Sequence, residues 1–356
     1  MTVTNSTASE TQLSPMRSEK VLHKILDTSR AGVIVTGMDT RITVANAAAQ
    51  IAFSRQGESI ENKRLSEVIR DLALHEAFRR ALSEGVSSDL RLDYTAGSSR
   101  KYDVHVSPIE IDGTPGAIGF FYDITRIERL ETVRQEFLSN ISHELRTPLT
   151  AIITFVETLE DGGIDDEENK MHFLGVIRRN AERMHSLIAD ILELSMIESG
   201  NVSVQIRDIK PAHIVNEVFS SLASKAEGRE VRLINEIPDN AMIFADSVRF
   251  EQMITNLVDN AIKFNRRGGS VTVAFEQRGQ KDVVSVADTG EGITPDHLPR
   301  IFERFYRTDR ARSRDLGGTG LGLAIVKHLA KLHGGEALVE SQLTRGTTFR
   351  IEFPAR

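Results

Sequence analysis

The chain has 356 residues and contains no cysteine. This absence excludes disulfide frameworks, thiolate metal sites and cysteine-linked flavin adducts, and it is typical of proteins in a reducing compartment. No apolar run approaches the ~20 residues that are needed to cross a bilayer, and residues 1–20 are polar, without a signal-peptide core. We therefore expect no transmembrane segment and a cytoplasmic location.

The chain also lacks an excess of positive charge. Its net charge is −7 and its pI is about 5.9, and no cluster of lysine and arginine of the nucleic-acid-binding type is present. We therefore expect no direct contact with DNA or RNA. With 40% hydrophobic and 27% charged residues, the chain can form two or three ordinary domains with real cores.

Residues 126–158 show the spacing of an amphipathic helix. Its apolar stripe consists of Ile127, Leu130, Phe137, Ile141, Leu145 and Ile152. At 100° per residue His143 falls on the opposite side, Thr147 shares its face, and Glu144 lies at the edge between face and stripe. Pro148 cannot donate a backbone hydrogen bond, so we expect the helix to bend there. The pattern predicts a solvent-exposed imidazole.

A second helix follows the break at Asp161-Gly162-Gly163, is opened by the acidic Asp165–Glu168 and ends at Ser199-Gly200-Asn201. Its predicted seam consists of Leu174, Ile177, Ala181, Met184, Ile188, Ile191 and Ser195. A two-helix hairpin cannot bury this much apolar surface alone, so we expect two copies to form a four-helix bundle. The alternative, an intramolecular bundle, would need further helices nearby.

Strands and helices alternate from Val202 to Arg356, which predicts a mixed sheet with helices on one face. In the predicted helix 247–264, Asn256, Asn260 and Lys263 share one face, and the other face is apolar. Amide oxygens suit Mg²⁺, and a nearby lysine can neutralise phosphate charge. Taken alone, such a helix face is more often simply solvated.

Two glycine-rich segments accompany that helix. Asp288-Thr289-Gly290-Glu291-Gly292 follows a predicted strand and offers a carboxylate acceptor beside backbone that a flat ligand can approach. The run from Gly317 to Gly322, which includes Gly318 and Gly320, leads directly into a helix, where free N–H groups and the positive helix end can meet phosphate oxygens. The two segments predict a nucleotide site.

The remaining sequence predicts a flexible tail at residues 1–18 and an antiparallel sheet flanked by small helices at 19–125. The latter resembles a PAS domain, which would receive an unknown signal ligand or a protein partner. His75 could be a haem ligand in such a fold, but no second cofactor feature accompanies it, so we interpret it as a surface histidine.

The run from His143 to Pro148 resembles the phosphoacceptor motif of sensor histidine kinases. The three segments around Asn260, Asp288 and Gly318 resemble, in order, the N, G1 and G2 boxes of the ATP-binding domain that histidine kinases share with gyrases and Hsp90-type chaperones. Residues 301–306 resemble the F box of the kinases. The resemblance covers residues 126–356 and implies that residues 303–317 form a mobile lid over ATP.

The resemblance also implies a role for each matching residue. His143 would be the nucleophile, Glu144 would orient it or accept its proton, and Thr147 would position water for dephosphorylation of the partner. In the nucleotide site, Asn260 with Asn256 would hold Mg²⁺, Lys263 would contact phosphate, and Asp288 would accept a hydrogen bond from the adenine amino group. The pocket would be shaped by Gly290, Gly292, Gly318, Gly320 and Gly322.

We therefore expect a multidomain α+β fold with the following parts. They are a tail (1–18), a PAS-like sensor (19–125), a dimerisation and phosphotransfer hairpin (126–200), and an α/β-sandwich ATP-binding domain of the Hsp90/gyrase/histidine kinase type (201–356). The expected function is that of a homodimeric sensor histidine kinase that phosphorylates His143 from ATP. It would pass the phosphoryl group to an aspartate of a separate response regulator, since the chain stops at Arg356 without a receiver-like segment.

Two other functions stay open at the level of sequence. An ATPase clamp of the Hsp90 or gyrase type would keep the N and G boxes but would not need the run at His143 or the F box. A catalytically silent sensor or scaffold would keep the fold without the reaction. A net phosphatase output also fits Thr147.

Overall fold

The structure is a computed structural model that describes residues 24, 27–54, 57–95, 99–111, 113–307 and 318–355. The predicted tail at residues 1–18 lies outside the described residues. The chain divides into two compact units, Met1–Gln135 and Glu136–Arg356. Among the described helices, none combines the length and the hydropathy that a membrane span requires.

The first unit contains a five-stranded antiparallel sheet with strand order β2-β1-β5-β4-β3. The strands are β1 Gly32–Thr36, β2 Ile42–Ala45, β3 Ser88–Tyr94, β4 Arg100–Ile111 and β5 Thr114–Asp123; the small helices are α1 Ala47–Phe53, α2 Leu65–Val68 and α3 Leu72–Glu84. This arrangement confirms the predicted sheet with flanking helices. Because the sheet is antiparallel, its strands need only short connections or small helices.

An aromatic cluster fills the centre of this unit. The Phe53 ring lies 5.1 Å from Tyr94, 5.2 Å from Tyr102 and 5.1 Å from Phe121, centroid to centroid, which is within the usual range for packed aromatic pairs. Asn46 caps α1, because its Oδ1 accepts from Ala49 N–H at 3.0 Å. The half-buried His75 has its Nε2 2.7 Å from the Ile69 carbonyl, so the backbone occupies this ring nitrogen.

Helix α4 runs from Thr125 to Thr158 and begins two residues after β5. Asp123 Oδ1 accepts from Thr125 N–H at 2.9 Å, which satisfies one of the free donors at the start of the helix. One turn later, Glu128 forms ion pairs with Arg91 at 2.9 Å and Lys101 at 3.5 Å. The first turns of α4 are therefore attached to β3 and β4.

A wide π-type turn at Leu159–Gly163 ends α4, and Gly162 adopts φ +106° there, a conformation that favours glycine. Helix α5 spans Lys170–Glu198. Residues 165–168 precede α5 instead of forming its first turn, because Asp166 accepts from the N–H groups of Glu168 and Asn169, both at 3.1 Å, in a turn.

None of the residues of the predicted apolar stripe of α4 or of the predicted seam of α5 is fully buried in the single chain. Pro148 is the buried residue of α4, and on the predicted seam of α5 Leu174 is 49% and Ile188 44% exposed. The buried residues of α5 are instead Leu187, Leu194 and Ile197, on a different face of the helix. The stripe predicted for burial therefore still needs a partner surface.

The rest of the second unit contains a five-stranded mixed sheet with order β11-β12-β10-β9-β7, in which β7 and β9 are parallel. The strands are β6 Arg207–Ile209, β7 Arg232–Asn235, β8 Ile243–Ala245, β9 Ser270–Arg278, β10 Lys281–Asp288, β11 Glu336–Gln342 and β12 Gly346–Pro354. Strand β6 is short, because its antiparallel partner β8 offers only three residues for pairing.

Helices α6 Pro211–Gly228, α7 Ser247–Lys263 and α8 Gly322–Leu332 pack with this sheet into one buried cluster. The apolar face of α7 is buried, as its spacing predicted; it consists of Phe250, Met253, Ile254, Leu257, Val258, Ala261 and Ile262. Residues Leu187, Leu194 and Ile197 of α5 belong to the same cluster. The hairpin and the α/β layers thus share one core.

Candidate active site

His143 lies on the exposed side of α4. Thr147, one turn further on, is also exposed, and its hydroxyl donates to the His143 carbonyl at 3.2 Å. Such hydrogen bonds back to the preceding turn are common where helices bend. The exposed ring agrees with the sequence prediction and leaves the imidazole accessible to a phosphate donor.

Glu144 forms an ion pair with the second helix of the hairpin. Its Oε2 accepts a hydrogen bond from Arg183 Nη2 of α5 at 2.8 Å, and both side chains are 30% exposed. The ion pair joins the two helices of the hairpin beside the exposed histidine. Glu144 follows His143 directly in the sequence, but its carboxylate is hydrogen-bonded to Arg183.

The polar face of α7 carries the predicted site residues. Asp246 caps the helix by accepting from the N–H groups of Val248 at 3.0 Å and Arg249 at 3.1 Å. Asn256 and Asn260 are half-buried on the face that is not packed into the core. Asn256 faces the first turn of α8, because a Cβ on Gly322 would come to 3.5 Å from the Asn256 Oδ1 atom.

Lys263 brings positive charge into the glycine-rich loop. The Lys263 ammonium lies against Gly318, because a Cβ built on this glycine would overlap with the lysine Nζ atom. The φ of +123° at Gly318 is a backbone conformation that favours glycine. Burial, followed by the neighbouring positive charge of Arg307, lowers the pKa of Lys263 to about 8. A ligand that brings negative charge to this loop would stabilise the ammonium and so raise the pKa of Lys263 again.

Asp288, at the end of β10, is the carboxylate of the predicted adenine site. Its Oδ1 accepts from the N–H groups of Gly290 at 2.8 Å and Thr347 at 3.2 Å. Burial raises the pKa of Asp288 above its ordinary value, although these two hydrogen bonds oppose the shift. Because both donors reach Oδ1, Oδ2 can accept a hydrogen bond from a ligand amino group.

The F box and the G2 segment contact each other closely. Phe305 has φ +60°, its N–H donates to the Gly320 carbonyl at 2.9 Å, and a Cβ on Gly320 would lie 2.9 Å from Phe305 Cα. A non-glycine residue rarely adopts this backbone conformation, so the contact constrains the loop. Residues 308–317, most of the predicted lid, lie outside the described residues.

The hairpin also contacts the nucleotide loops. Thr319 donates to Asp190 Oδ2 of α5 at 2.7 Å, and the ring of Phe137 lies 5.7 Å from that of Phe305. The guanidinium of Arg304 stacks on the Phe137 ring at 5.1 Å and pairs with Glu198. These contacts tie the G2 segment and the F box to both helices of the hairpin.

Three family models match successive parts of the chain. A PAS fold model matches residues 26–129 and a His Kinase A (phospho-acceptor) domain model matches residues 133–200. A model described as histidine kinase-, DNA gyrase B-, and HSP90-like ATPase matches residues 245–356. The three domain types expected from the sequence are confirmed.

The sensor-like histidine kinase SenX3 of Mycobacterium tuberculosis is 32% identical to the chain over 339 residues, which cover 92% of this chain and 82% of that protein. This chain is a member of the sensor histidine kinases. The sensor histidine kinase WalK of Bacillus subtilis is 35% identical over 242 residues, 67% of this chain and 39% of that protein. The prediction of an ATP-dependent protein-histidine kinase is thereby confirmed.

Two solved structures share the fold of this sensor histidine kinase. The Acinetobacter baumannii histidine kinase AdeS has a TM-score of 0.51 at 23% identity and covers 60% of this chain and 98% of its own. Histidine kinase ThkA, solved in complex with response regulator protein TrrA, has a TM-score of 0.51 at 22% identity and covers 94% and 98%. At these identities the similarity concerns the fold alone.

Sequence reasoning missed several residues that the structure places beside the predicted site of this kinase. Arg183 pairs with Glu144, and Asp190 accepts a hydrogen bond from Thr319. Arg304 stacks on Phe137 and pairs with Glu198. The available signal was a second apolar face on α5. Its members Leu187, Leu194 and Ile197 recur at spacings of seven and three, which marks a face distinct from the predicted seam.

Proposed function

We propose that this sensor histidine kinase transfers the γ-phosphoryl group of ATP to His143 and then to an aspartate of a separate response regulator. The observation that carries this proposal is an exposed imidazole on α4 in the same compact unit as the nucleotide site. ThkA, which shares the fold, was solved with a response regulator, and this supports such a partner here. The proposed domain boundaries remain 1–18, 19–125, 126–200 and 201–356.

The nucleotide would be held by the residues around Asp288 and Lys263. Asp288 Oδ2 would accept from the adenine amino group, and Lys263 would contact phosphate beside Gly318. Gly290, Gly292, Gly320 and Gly322 would let the backbone approach the ligand.

The half-buried amides of Asn260 and Asn256 fit Mg²⁺, because hard cations prefer oxygen ligands. When bound, the ion would neutralise charge on the transferring phosphoryl group. Asn260 and Asn256 would hold it on the face of α7 that is not packed into the core.

In the proposed step, a nitrogen of the neutral His143 ring attacks the γ-phosphorus. The new N–P bond forms while the bond from phosphorus to the β,γ-bridging oxygen breaks, and ADP leaves with that electron pair. The proton on the other ring nitrogen passes to the Glu144 carboxylate or to water.

The experiment for the nucleophile replaces single histidines in the hairpin. A His143→Gln variant incubated with γ-³²P-ATP should lose the acid-labile label, since no nucleophile remains at the exposed position. The matched control is His185→Gln, an exposed histidine of α5 without a proposed role, which should be labelled at the wild-type rate. Labelling of the His143→Gln variant at a comparable rate would refute the assignment.

The exposed position of Thr147 on the His143 face favours a second activity, dephosphorylation of the response regulator. Its hydroxyl could position the attacking water. A Thr147→Ala variant should therefore keep autophosphorylation but remove phosphate more slowly from a phosphorylated receiver domain.

We also propose that the chain forms a homodimer. The second copy would cover the exposed seam around Ile188 and so complete a four-helix bundle.

A further inference from the structure

Arg183 lies on the face of α5 that contacts the nucleotide-binding layers. Leu187, one turn later, is 2% exposed within the shared core, and Asp190, two turns later, accepts the hydrogen bond from Thr319. A rise of about 1.5 Å per residue places Arg183 about 10 Å along the helix from Asp190. Arg183 therefore lies at one end of this contact face, where it meets Glu144.

The pKa of Lys263 also indicates that Arg183 lies near the glycine-rich loop. Burial and the charge of Arg307 are the main causes that lower the pKa of Lys263, and the charge of Arg183 contributes in the same direction. The Lys263 ammonium lies against Gly318 of the phosphate loop. Arg183 is therefore close enough to act on positive charge at the place where a phosphate would bind.

Arg183 is also the partner that holds the Glu144 carboxylate, at 2.8 Å. Half-exposed ion pairs of this kind contribute little stability, so the arginine can change partner at small cost. A terminal phosphate carries more negative charge than a carboxylate and matches the planar guanidinium with two parallel hydrogen bonds. ATP would therefore compete with Glu144 for Arg183.

We propose that Arg183 is a further positioning residue of the kinase, which holds Glu144 when no nucleotide is bound and turns to the γ-phosphate when ATP binds. This exchange frees Glu144 to accept the proton of the His143 ring only when a phosphate donor is present. The inference rests on the function proposed above, because it assigns the trigger for that same step.

The first test measures nucleotide affinity in a His143→Gln background, where no transfer occurs, by titration with a fluorescent nucleotide analogue displaced by ATP or ADP. An Arg183→Gln variant should bind ATP about 10- to 100-fold more weakly, the range expected for a lost hydrogen-bonded charge contact. Its ADP affinity should change less than about twofold, since ADP lacks the γ-phosphate. Equal losses for ATP and ADP, or no loss, would overturn the proposal.

The matched control is Arg178→Gln on the same helix. Arg178 pairs with Glu182 at 4.0 Å on an exposed surface, so its loss removes an arginine ion pair away from the site. Its ATP affinity should equal that of the parent. An Arg183→Lys variant, which keeps the charge but loses the planar fork, should lie between wild type and Arg183→Gln in the KM for ATP.

A double-mutant cycle tests the exchange itself. Glu144→Gln removes the competitor for Arg183, so ATP should bind about two- to fivefold more tightly, which corresponds to a half-exposed ion pair. The gain should vanish in the Glu144→Gln, Arg183→Gln double variant. Unchanged or weaker ATP binding in Glu144→Gln alone would overturn the exchange. Labelling of His143→Gln, by contrast, would overturn the proposed function without altering these titrations.

Discussion

Asp288 and Lys263, two residues of the proposed nucleotide site, have pKa values that burial shifts. Burial raises the pKa of Asp288 and, with the charge of Arg307, lowers that of Lys263 to about 8. In each case burial moves the protonation equilibrium toward the neutral form, compared with a solvent-exposed group of the same type. A nucleotide that offers a donor to Asp288 and phosphate to Lys263 would stabilise both charged forms and oppose both shifts.

The shift of Lys263 predicts a pH dependence of nucleotide affinity. Above pH 8 the free protein loses the ammonium, so ATP affinity should fall from pH 7 to pH 9.5, and binding near pH 8.5 should take up a proton in calorimetry. A Lys263→Arg variant stays charged and should show a flatter profile. A slope equal to that of wild type would contradict this role for Lys263.

The lowered pKa of Lys263 also affects the stability of the protein without nucleotide. In this case the stability rises with pH, whereas the ATP affinity falls. Because the pKa falls from its ordinary 10.5 to about 8, the unfolded chain binds a proton between these pH values and the folded protein does not. The free energy of unfolding therefore gains a contribution from Lys263 as the pH rises through this window. Without nucleotide, Lys263→Met should remove this contribution, measured as the change of denaturation midpoint between pH 8 and pH 10.5.

At the scale of single elements, α5 has two apolar faces with different partners. Leu187 and Leu194 are buried in the core shared with the nucleotide-binding layers, whereas Ile188 and Leu174 remain half-exposed. At 100° per residue Leu187 and Leu194 lie more than a quarter turn from Ile188 around the helix. The face with Leu187 and Leu194 packs within the chain, and the face with Ile188 and Leu174 is available for packing against a second copy.

These two faces predict different effects for substitutions at neighbouring residues, one on dimerisation and the other on the free energy of unfolding. Ile188→Glu should weaken the dimer, measured by analytical ultracentrifugation, because it places charge in the proposed four-helix core. Leu187→Ala should leave the dimer intact but lower the free energy of unfolding of the catalytic unit by about 2–5 kcal/mol. The seam assignment would be wrong if Ile188→Glu stayed dimeric at low micromolar concentration.

The elements themselves were largely predictable from the sequence. The helix predicted at 247–264 is α7 at Ser247–Lys263, because a regular hydrophobic period defines it locally. The contacts between elements were not predictable. Glu144 and Arg183 are 39 residues apart, and Asp190 and Thr319 are 129 apart. A period shows which face of a helix is apolar, but it does not identify the partner.

At the scale of the whole molecule, one helix carries residues of both compact units. Helix α4 begins at Thr125 in the first unit, where Glu128 is paired with Arg91 and Lys101, and continues to Thr158 in the second. Helix α4, whose first turns are ion-paired to β3 and β4, is therefore also the helix that carries His143. A rotation at its start would be carried along its hydrogen-bonded backbone.

This continuity predicts that kinase output depends on helical phase and not on length. One alanine inserted after Gln135 rotates the following part of α4 by about 100°, whereas seven residues restore the phase to within about 20°. The single insertion should change the autophosphorylation rate at least about threefold, and the seven-residue insertion should restore it to within about twofold, because the apolar stripe again faces one side. Circular dichroism would confirm that both variants keep their helix content. Equal rates for the two insertions would show that the phase of α4 does not control the kinase output, because the two insertions rotate the following part of the helix by different amounts.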